Sequence, residues 1–451
     1  MAAAPKYNSW LIAGLYNGLQ KLSIPLFGVA STMILAHGAI TKAEMGVWAL
    51  FLLVTSFVEL IRQALVKTSL IKFINHSSEE EHKYVLSAAL FLNVLITLAL
   101  LIVLFFLAPY LSRVLKAPEL KQMLYIFLAG ILLLIPFSHF EWIMYGKSQF
   151  KGLFWTFFYR QGISLLLMII YLFLYKTISL NMLVIFYCAG ILLGIAIAYN
   201  NVKRHLSRTF ILSKVWIKKL WHFGKYVFGS GLSTLVFGSA GQVFHSSLMG
   251  LPFAASNSVA SRVINLADIP SQVLSDILFP KSAKKENTGN KELIKYYYEK
   301  TVGATLCFNI PMVLFIILFP KFIILVLAGD QYLDAVPFLQ WIAITGIFLA
   351  FLKQWGVIID SSGRPQLNFL IITLIAAVHV ILTYIGIVSY GFLGAAYALV
   401  CSHIFGFIIT QWLLYRMYNI QFLNCFRYAI RFYPELSKIL LDKLHLKWKA
   451  L

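Results

Sequence analysis

Apolar residues run along this chain in long blocks broken by short polar punctuation, and the blocks predict helices that cross a lipid bilayer. Twelve spans are read, at about 11–37, 44–72, 84–108, 120–145, 152–175, 179–199, 221–249, 254–280, 297–319, 333–359, 365–388 and 391–415. Each is near or above the roughly 20 residues that cover the hydrocarbon core. The prediction is an all-α polytopic membrane protein, because lipid tolerates only backbone that is satisfied internally.

Polar positions inside the blocks follow helical faces. In span 8, Asn257, Ser261, Asn265, Asp268, Gln272 and Ser275 fall within about 80° of arc at about 100° per residue. In span 2, Thr55, Ser56, Glu59, Arg62 and Gln63 share a face. Span 1 offers Asn17, Gln20 and Lys21 before Pro25, and span 7 offers Ser230, Thr234, Gly238, Gly241, Gln242 and His245. Spans 1, 2, 7 and 8 are therefore expected to line a wet central cavity. Span 6 has no ionisable side chain in its apolar run apart from Tyr and Cys and is expected at the periphery.

Five bases lie within the spans, Lys21, Arg62, Arg160, Arg262 and Lys353, together with the acids Glu59, Glu141, Asp268 and Asp276. An ion near the bilayer centre costs a few kcal/mol or more, so such groups usually face a watery interior or a partner. Lys21, Arg62 and Arg262 are the candidate substrate-binding bases, with Glu59 and Asp268 as coupling or charge-balancing acids. Gln20, Gln63, Gln242, His245, Asn265 and Lys353 are secondary cavity candidates. Structural readings stand beside these. Glu59 and Arg62 can pair along one helix. Glu141 and Arg160 approach one hairpin as an ion pair, Asp276 can meet Lys281, and Lys353 fits a cavity or snorkelling equally. His139, His379 and His403 read as packed or hydrogen-bonded residues.

Composition agrees with the spans: 60% of residues are hydrophobic and 12% charged, with mean hydropathy +0.81. The net charge of +21 would suit nucleic acid, but its distribution argues for a membrane. About 27 of the 38 Lys and Arg fall in the N-terminus, the loops after even-numbered spans and the tail, which predicts cytoplasmic termini. The excess then touches anionic headgroups. No signal peptide is indicated by the start MAAAPKYNSW, and the four cysteines lack metal-ligand spacing. No metal or cofactor is expected.

Gly146-Lys147-Ser148-Gln149-Phe150 follows span 4 and Gly363-Arg364-Pro365-Gln366-Leu367 follows span 10, 217 residues apart. Loops of one kind in one place predict two six-span bundles, 1–199 and 221–415, related by a parallel repeat about the membrane normal. A basic cytoplasmic linker, 200–220, joins them. The basic tail, 416–451, reads as an interfacial amphipathic helix or a solvated extension. Gly146-Lys147-Ser148 is not a phosphate loop, since the glycine required five positions earlier is Glu141.

The twelve-span plan, the run Ala43-Glu44-Met45-Gly46-Val47-Trp48-Ala49, the Gly-basic loops, and span 8 from Ala260-Ser261-Arg262 to Phe279-Pro280-Lys281 together resemble a family. They resemble the polysaccharide-transport or O-antigen flippases of the multidrug/oligosaccharidyl-lipid/polysaccharide exporter superfamily. That resemblance implies a transporter, not an enzyme. It would carry a lipid-linked oligosaccharide across the membrane by alternating access, for exopolysaccharide or lipopolysaccharide assembly. It also implies that Lys21, Arg62 and Arg262 meet the lipid pyrophosphate, and that a polymerase or glycosyltransferases are candidate protein partners. The tail is too charged to supply the two further spans of fourteen-helix members. A drug or cation antiporter of the same superfamily is the rival. It calls for an acidic or aromatic cavity, against three bases and two acids here. A polymerase or ligase would need catalytic groups on outer loops, which are short.

Overall fold

The computed structural model describes residues 6–75, 77–78, 80–206, 209–272, 274–275 and 290–434, with side chains from Leu15 onward except that of Tyr226. Asp276, Lys281, Lys284, Lys285 and the tail from residue 435 lie outside the described residues. Within them the protein is helical and contains no strand. Ten helices are long and apolar enough to span a membrane, and an eleventh span arises if one pair bent by 45° is counted together. Span 8 is seen as a helix over Leu251–Ala267, with helical residues also at 269–272 and 274–275. The multi-pass class is as read, while the number of spans described is ten or eleven.

The chain divides into two compact units. The first contains residues up to Arg262 together with Val326–Tyr332. Its helices are α1 (Lys6–Ile34), α2 (Lys42–Arg62), α3 (Thr68–Ile74), α4 (His82–Val114), α5 (Pro118–Gly146), α6 (Phe150–Tyr175), α7 (Leu180–Val202), α8 (Lys214–Phe244) and most of α9 (Leu251–Ala267). A wide π-type turn, Gln63–Lys67, joins α2 to α3. The second unit contains Val263–Leu325 and the residues from Leu333. Its helices are α10 (Lys291–Leu318), the start of α11 (Pro320–Ala328), α12 (Ala335–Ala343), α13 (Thr345–Ser361), α14 (Pro365–Tyr390), α15 (Phe392–Tyr418) and α16, described over 422–434. These are units of packing; the division at 200–220 read from the sequence concerns duplication, a different property.

Local chemistry explains where helices begin and approach. Thr41 caps α2 through a reciprocal box: its hydroxyl accepts from the Glu44 N–H at 3.2 Å, and Glu44 accepts from the Thr41 N–H at 2.8 Å. Small residues then let backbones touch, the usual device where lipid gives no hydrophobic drive for helix association. A Cβ on Gly224 of α8 would lie 2.0 Å from the Leu65 carbonyl oxygen, and one on Gly46 of α2 would lie 2.2 Å from that of Leu251. Helices α8 and α9 are thereby packed onto α2 and the turn after it. Residues 326–332 join the same unit, with Gln331 Nε2 donating to the Ala36 carbonyl and Lys42 Nζ donating to the Gln331 carbonyl at 2.9 Å.

Three expectations are refined. Helix α7 packs on α5 and α6 with Val184, Gly190, Ile191 and Gly194 buried, while Ile185, Leu192 and Tyr199 on its other face are exposed. Its glycine face matters more than its lack of charge, because a Cβ on Gly190 would lie 2.4 Å from the Arg160 carbonyl oxygen. The described start of the tail is a packed helix, not a purely interfacial one. Glu299, buried on α10, accepts from the Gln421 N–H at 3.0 Å and from Asn424 Nδ2 at 3.2 Å, while Tyr433 donates to the Cys307 carbonyl at 2.7 Å. Finally, the two Gly-basic loops do close alike, through bonds Gln149 N–H to Met144 and Arg364 N–H to Ile359, but two residues out of the sequence match. Ser148 and Gly363 occupy the left-handed position, with φ 54° and 78°. The same closure recurs at Leu115–Ala117, so it is a general helix stop here and no evidence of duplication.

Candidate functional site

The polar faces of α2, α5, α6 and α7 meet inside the first unit. Arg160 donates from Nη2 to Glu59 Oε1 at 2.9 Å and to the Tyr187 hydroxyl at 3.0 Å. Its guanidinium also stacks on Phe137, 4.6 Å from the ring centroid. One turn along, Lys67 in the π-type turn bonds Glu141 Oε1 at 2.8 Å and sits 3.9 Å over the Tyr145 ring. The Tyr145 hydroxyl in turn exchanges hydrogen bonds with Gln20 of α1, at 2.9 and 3.1 Å. Glu59, Gln63, Glu141 and Arg160 wall a cavity of about 10 Å³, room for one water. Such a closed set of charges holds its geometry because each ion has a partner.

Arg62 has turned away from that cavity, which corrects its assignment as a cavity base. It is fully buried among α2, α4 and α5. Its Nε donates to Thr97 at 3.0 Å, and its Nη2 donates to Asn93 at 2.8 Å and to the Leu134 carbonyl at 2.7 Å. A rigid fork of donors suits this distributed neutral solvation, although Nη1 is buried without a hydrogen-bond partner among the described residues. Asn93 also donates to the Ile135 carbonyl at 3.0 Å, so both side chains serve a stretch of α5 just before Pro136, where a proline bends a helix. Within α2, Glu59 and Arg62 do not pair, and Glu141 pairs with Lys67 instead of Arg160.

Arg262 takes a different position on the first unit. Its Nη1 donates to the Gly28 carbonyl of α1 at 3.0 Å, an oxygen that also accepts from the Thr32 hydroxyl at 2.8 Å. A Cβ at Gly28 would lie 3.0 Å from that Nη1, so the glycine makes room for the guanidinium. Its Nε is buried and without a hydrogen-bond partner among the described residues. Lys21 is half-buried on the same helix. Seven residues separate it from Gly28, two turns or about 10 Å along one face. Pro25 has no N–H for the Lys21 carbonyl, which helical bonding would otherwise satisfy.

In the second unit, Asp268 is buried and accepts from Lys353 Nζ and, at 3.1 Å, from Gln272 Nε2. Lys353 is thus an ion-pair partner, not a snorkelling base. The two acids proposed to balance Lys21, Arg62 and Arg262 are each bound to another base, Glu59 to Arg160 and Asp268 to Lys353. Asn265 is exposed, His245 is buried in the π-type turn after α8, and Gln242 Nε2 is buried without a partner among the described residues.

Asn93, Thr97, Lys67, Tyr145, Tyr187 and Gly28 were missed by reasoning from faces alone. Asn93 and Thr97 carried a usable signal. They are four residues apart on one face of the most apolar span, whose mean hydropathy reaches 3.0, and a polar pair there demands a partner.

Comparison with known proteins follows the same lines. In structure, the chain resembles an inward-facing multidrug resistance MATE transporter of the MOP superfamily, with a TM-score of 0.74 at 16% identity over 88% of this chain and 98% of that one. It also resembles the lipid II flippase MurJ in an inward closed conformation, with a TM-score of 0.72 at 18% identity over 95% and 92% of the two chains. These likenesses define the fold. In sequence, 235 residues are 26% identical to an uncharacterized membrane protein of Methanocaldococcus jannaschii, spanning 52% of this chain and 46% of that protein. The sequence pattern of the family described as polysaccharide biosynthesis protein matches residues 39–337. The chain belongs to that family of multi-pass membrane proteins.

Proposed function

We propose that this protein moves a polyprenyl-pyrophosphate-linked oligosaccharide across the inner membrane by alternating access, with both termini in the cytoplasm. Membership of a polysaccharide biosynthesis family and the shared fold with a lipid II flippase support the reading. The observation that carries it to particular residues is Arg262: a guanidinium lodged on a glycine of α1 with its Nε unused. Arginine pairs with phosphate through two parallel bonds, and the pairing strengthens where water is scarce. Lys21, on the same face of α1, supplies a second positive charge. Arg62 is reassigned from substrate contact to holding the first unit together. Protonation of Glu59 or Asp268 is the proposed coupling step, since an anion arriving near a buried acid favours its neutral form.

A MATE-like antiporter is the second reading, and the equally good fit to that fold favours it. Export of lipid-linked sugar in cells carrying Arg262→Ala separates the two. We expect export to fall about tenfold or more at unchanged protein abundance, with Arg262→Lys keeping part of it because charge survives without the planar fork. Wild-type export in both Arg262→Ala and Lys21→Ala would remove the flippase reading and leave the antiporter.

A further inference from the structure

The start of α10 and the end of α15 border an open cavity of about 480 Å³ in the second unit. Its wall carries Lys291, Lys295 and Arg416 against one acid, Glu292. Lys291 and Lys295 are four apart and share a face of α10. Among the described residues none of the three bases is in an ion pair; Arg416 only stacks over Trp412, 5.4 Å from the ring centroid. Lys67, Arg160 and Lys353, by contrast, each have a carboxylate partner.

The outer face leading away from this cavity suits acyl chains. Ile408, Trp412 and Tyr415 are exposed along one stripe of α15, and Tyr296 is exposed on α10. Basic groups at a helix end next to aromatic and apolar surface match the headgroup level of a bilayer, where each Lys or Arg adds about 1 kcal/mol of attraction to anionic lipid.

We propose that this cavity is a binding site for the phosphate headgroup of an anionic phospholipid, held by Lys291, Lys295 and Arg416 with its chains along α15. The N–H groups at the start of α10 are partly taken by Asn290, which accepts from Glu292 and Leu293 at 3.2 Å, so the side chains carry the recognition. The site is independent of what the protein transports.

Native mass spectrometry of the full-length protein tests it. The protein is released from nanodiscs holding equal phosphatidylglycerol and phosphatidylcholine. Wild type should retain phosphatidylglycerol over phosphatidylcholine by roughly tenfold. The triple variant Lys291→Gln, Lys295→Gln, Arg416→Gln should lose that preference. Arg113→Gln, Lys116→Gln, Lys121→Gln, with the same loss of charge elsewhere, should keep it. A phosphatidylglycerol preference as large as that of wild type in the first triple variant overturns the proposal. If that variant does not fold, Lys291→Glu alone, at an exposed position, should weaken the preference several-fold, and an unchanged preference overturns it instead. Glycerol 1-phosphate at millimolar concentration should not displace the lipid; full displacement would mean a soluble phosphate ligand and would likewise overturn it.

Discussion

In the first unit, Glu59, Glu141 and Arg160 wall one small cavity, with Lys67 paired to Glu141 and Arg62 turned away, five ions that leave one positive charge over, whereas among the described residues of the second unit one acid–base pair is formed, Asp268 with Lys353. The most enclosed pair of the first set is Lys67 with Glu141, 19% and 4% exposed, while 31% of the Lys353 side chain stays exposed. The difference shows two ways of keeping ions in an apolar bundle. One spreads the excess charge of Arg62 over neutral oxygens of α4 and α5. The other lets a lysine reach solvent while it neutralises a buried acid. Enclosed charges should govern stability, and the half-open pair should be more easily disturbed in function.

Lys67→Met should have the largest effect. It strips Glu141, whose side chain is 4% exposed, of its base, and an unpaired buried charge costs about 3–5 kcal/mol. Thermal unfolding in detergent should show a clear drop, largely restored by adding Glu141→Leu. Unchanged melting would mean that the cluster is not enclosed. Lys353→Met should cost less, about 1–2 kcal/mol, because solvent screens the pair; a loss equal to that of Lys67→Met would erase the contrast between the units. Gly28→Ala should be smallest, shifting stability by under about 0.5 kcal/mol. Its Cβ presses on Arg262, so export should fall while melting stays close to wild type. Full export with that methyl present would detach Arg262 from the glycine face.

The sequence made the helices legible because apolar blocks of bilayer length admit few alternatives, and it made the polar face of α2 legible because that face repeats at helical spacing. It did not reveal partners. Glu59 and Arg62 lie three residues apart, about 60° around the axis, yet one reaches α6 and the other α4 and α5. A stripe gives direction from its own axis and says nothing of which neighbour stands there. The π-type turn that swings Lys67 inward had no marker either, since its residues, Gln63 to Lys67, would all be at ease in an ordinary helix.

Helices α1–α7 are complete in the chain well before the surfaces they need. Leu65 is covered at Gly224, Gly46 is covered at Leu251, and Ala36 is bonded by Gln331. During synthesis the early helices must therefore wait in the bilayer, inserted but unfinished, until residues past the basic linker leave the ribosome. The last stitch, Val326–Tyr332, arrives when more than two-thirds of the polypeptide has been made. Maturation of the first unit is thus set by the translation of the second.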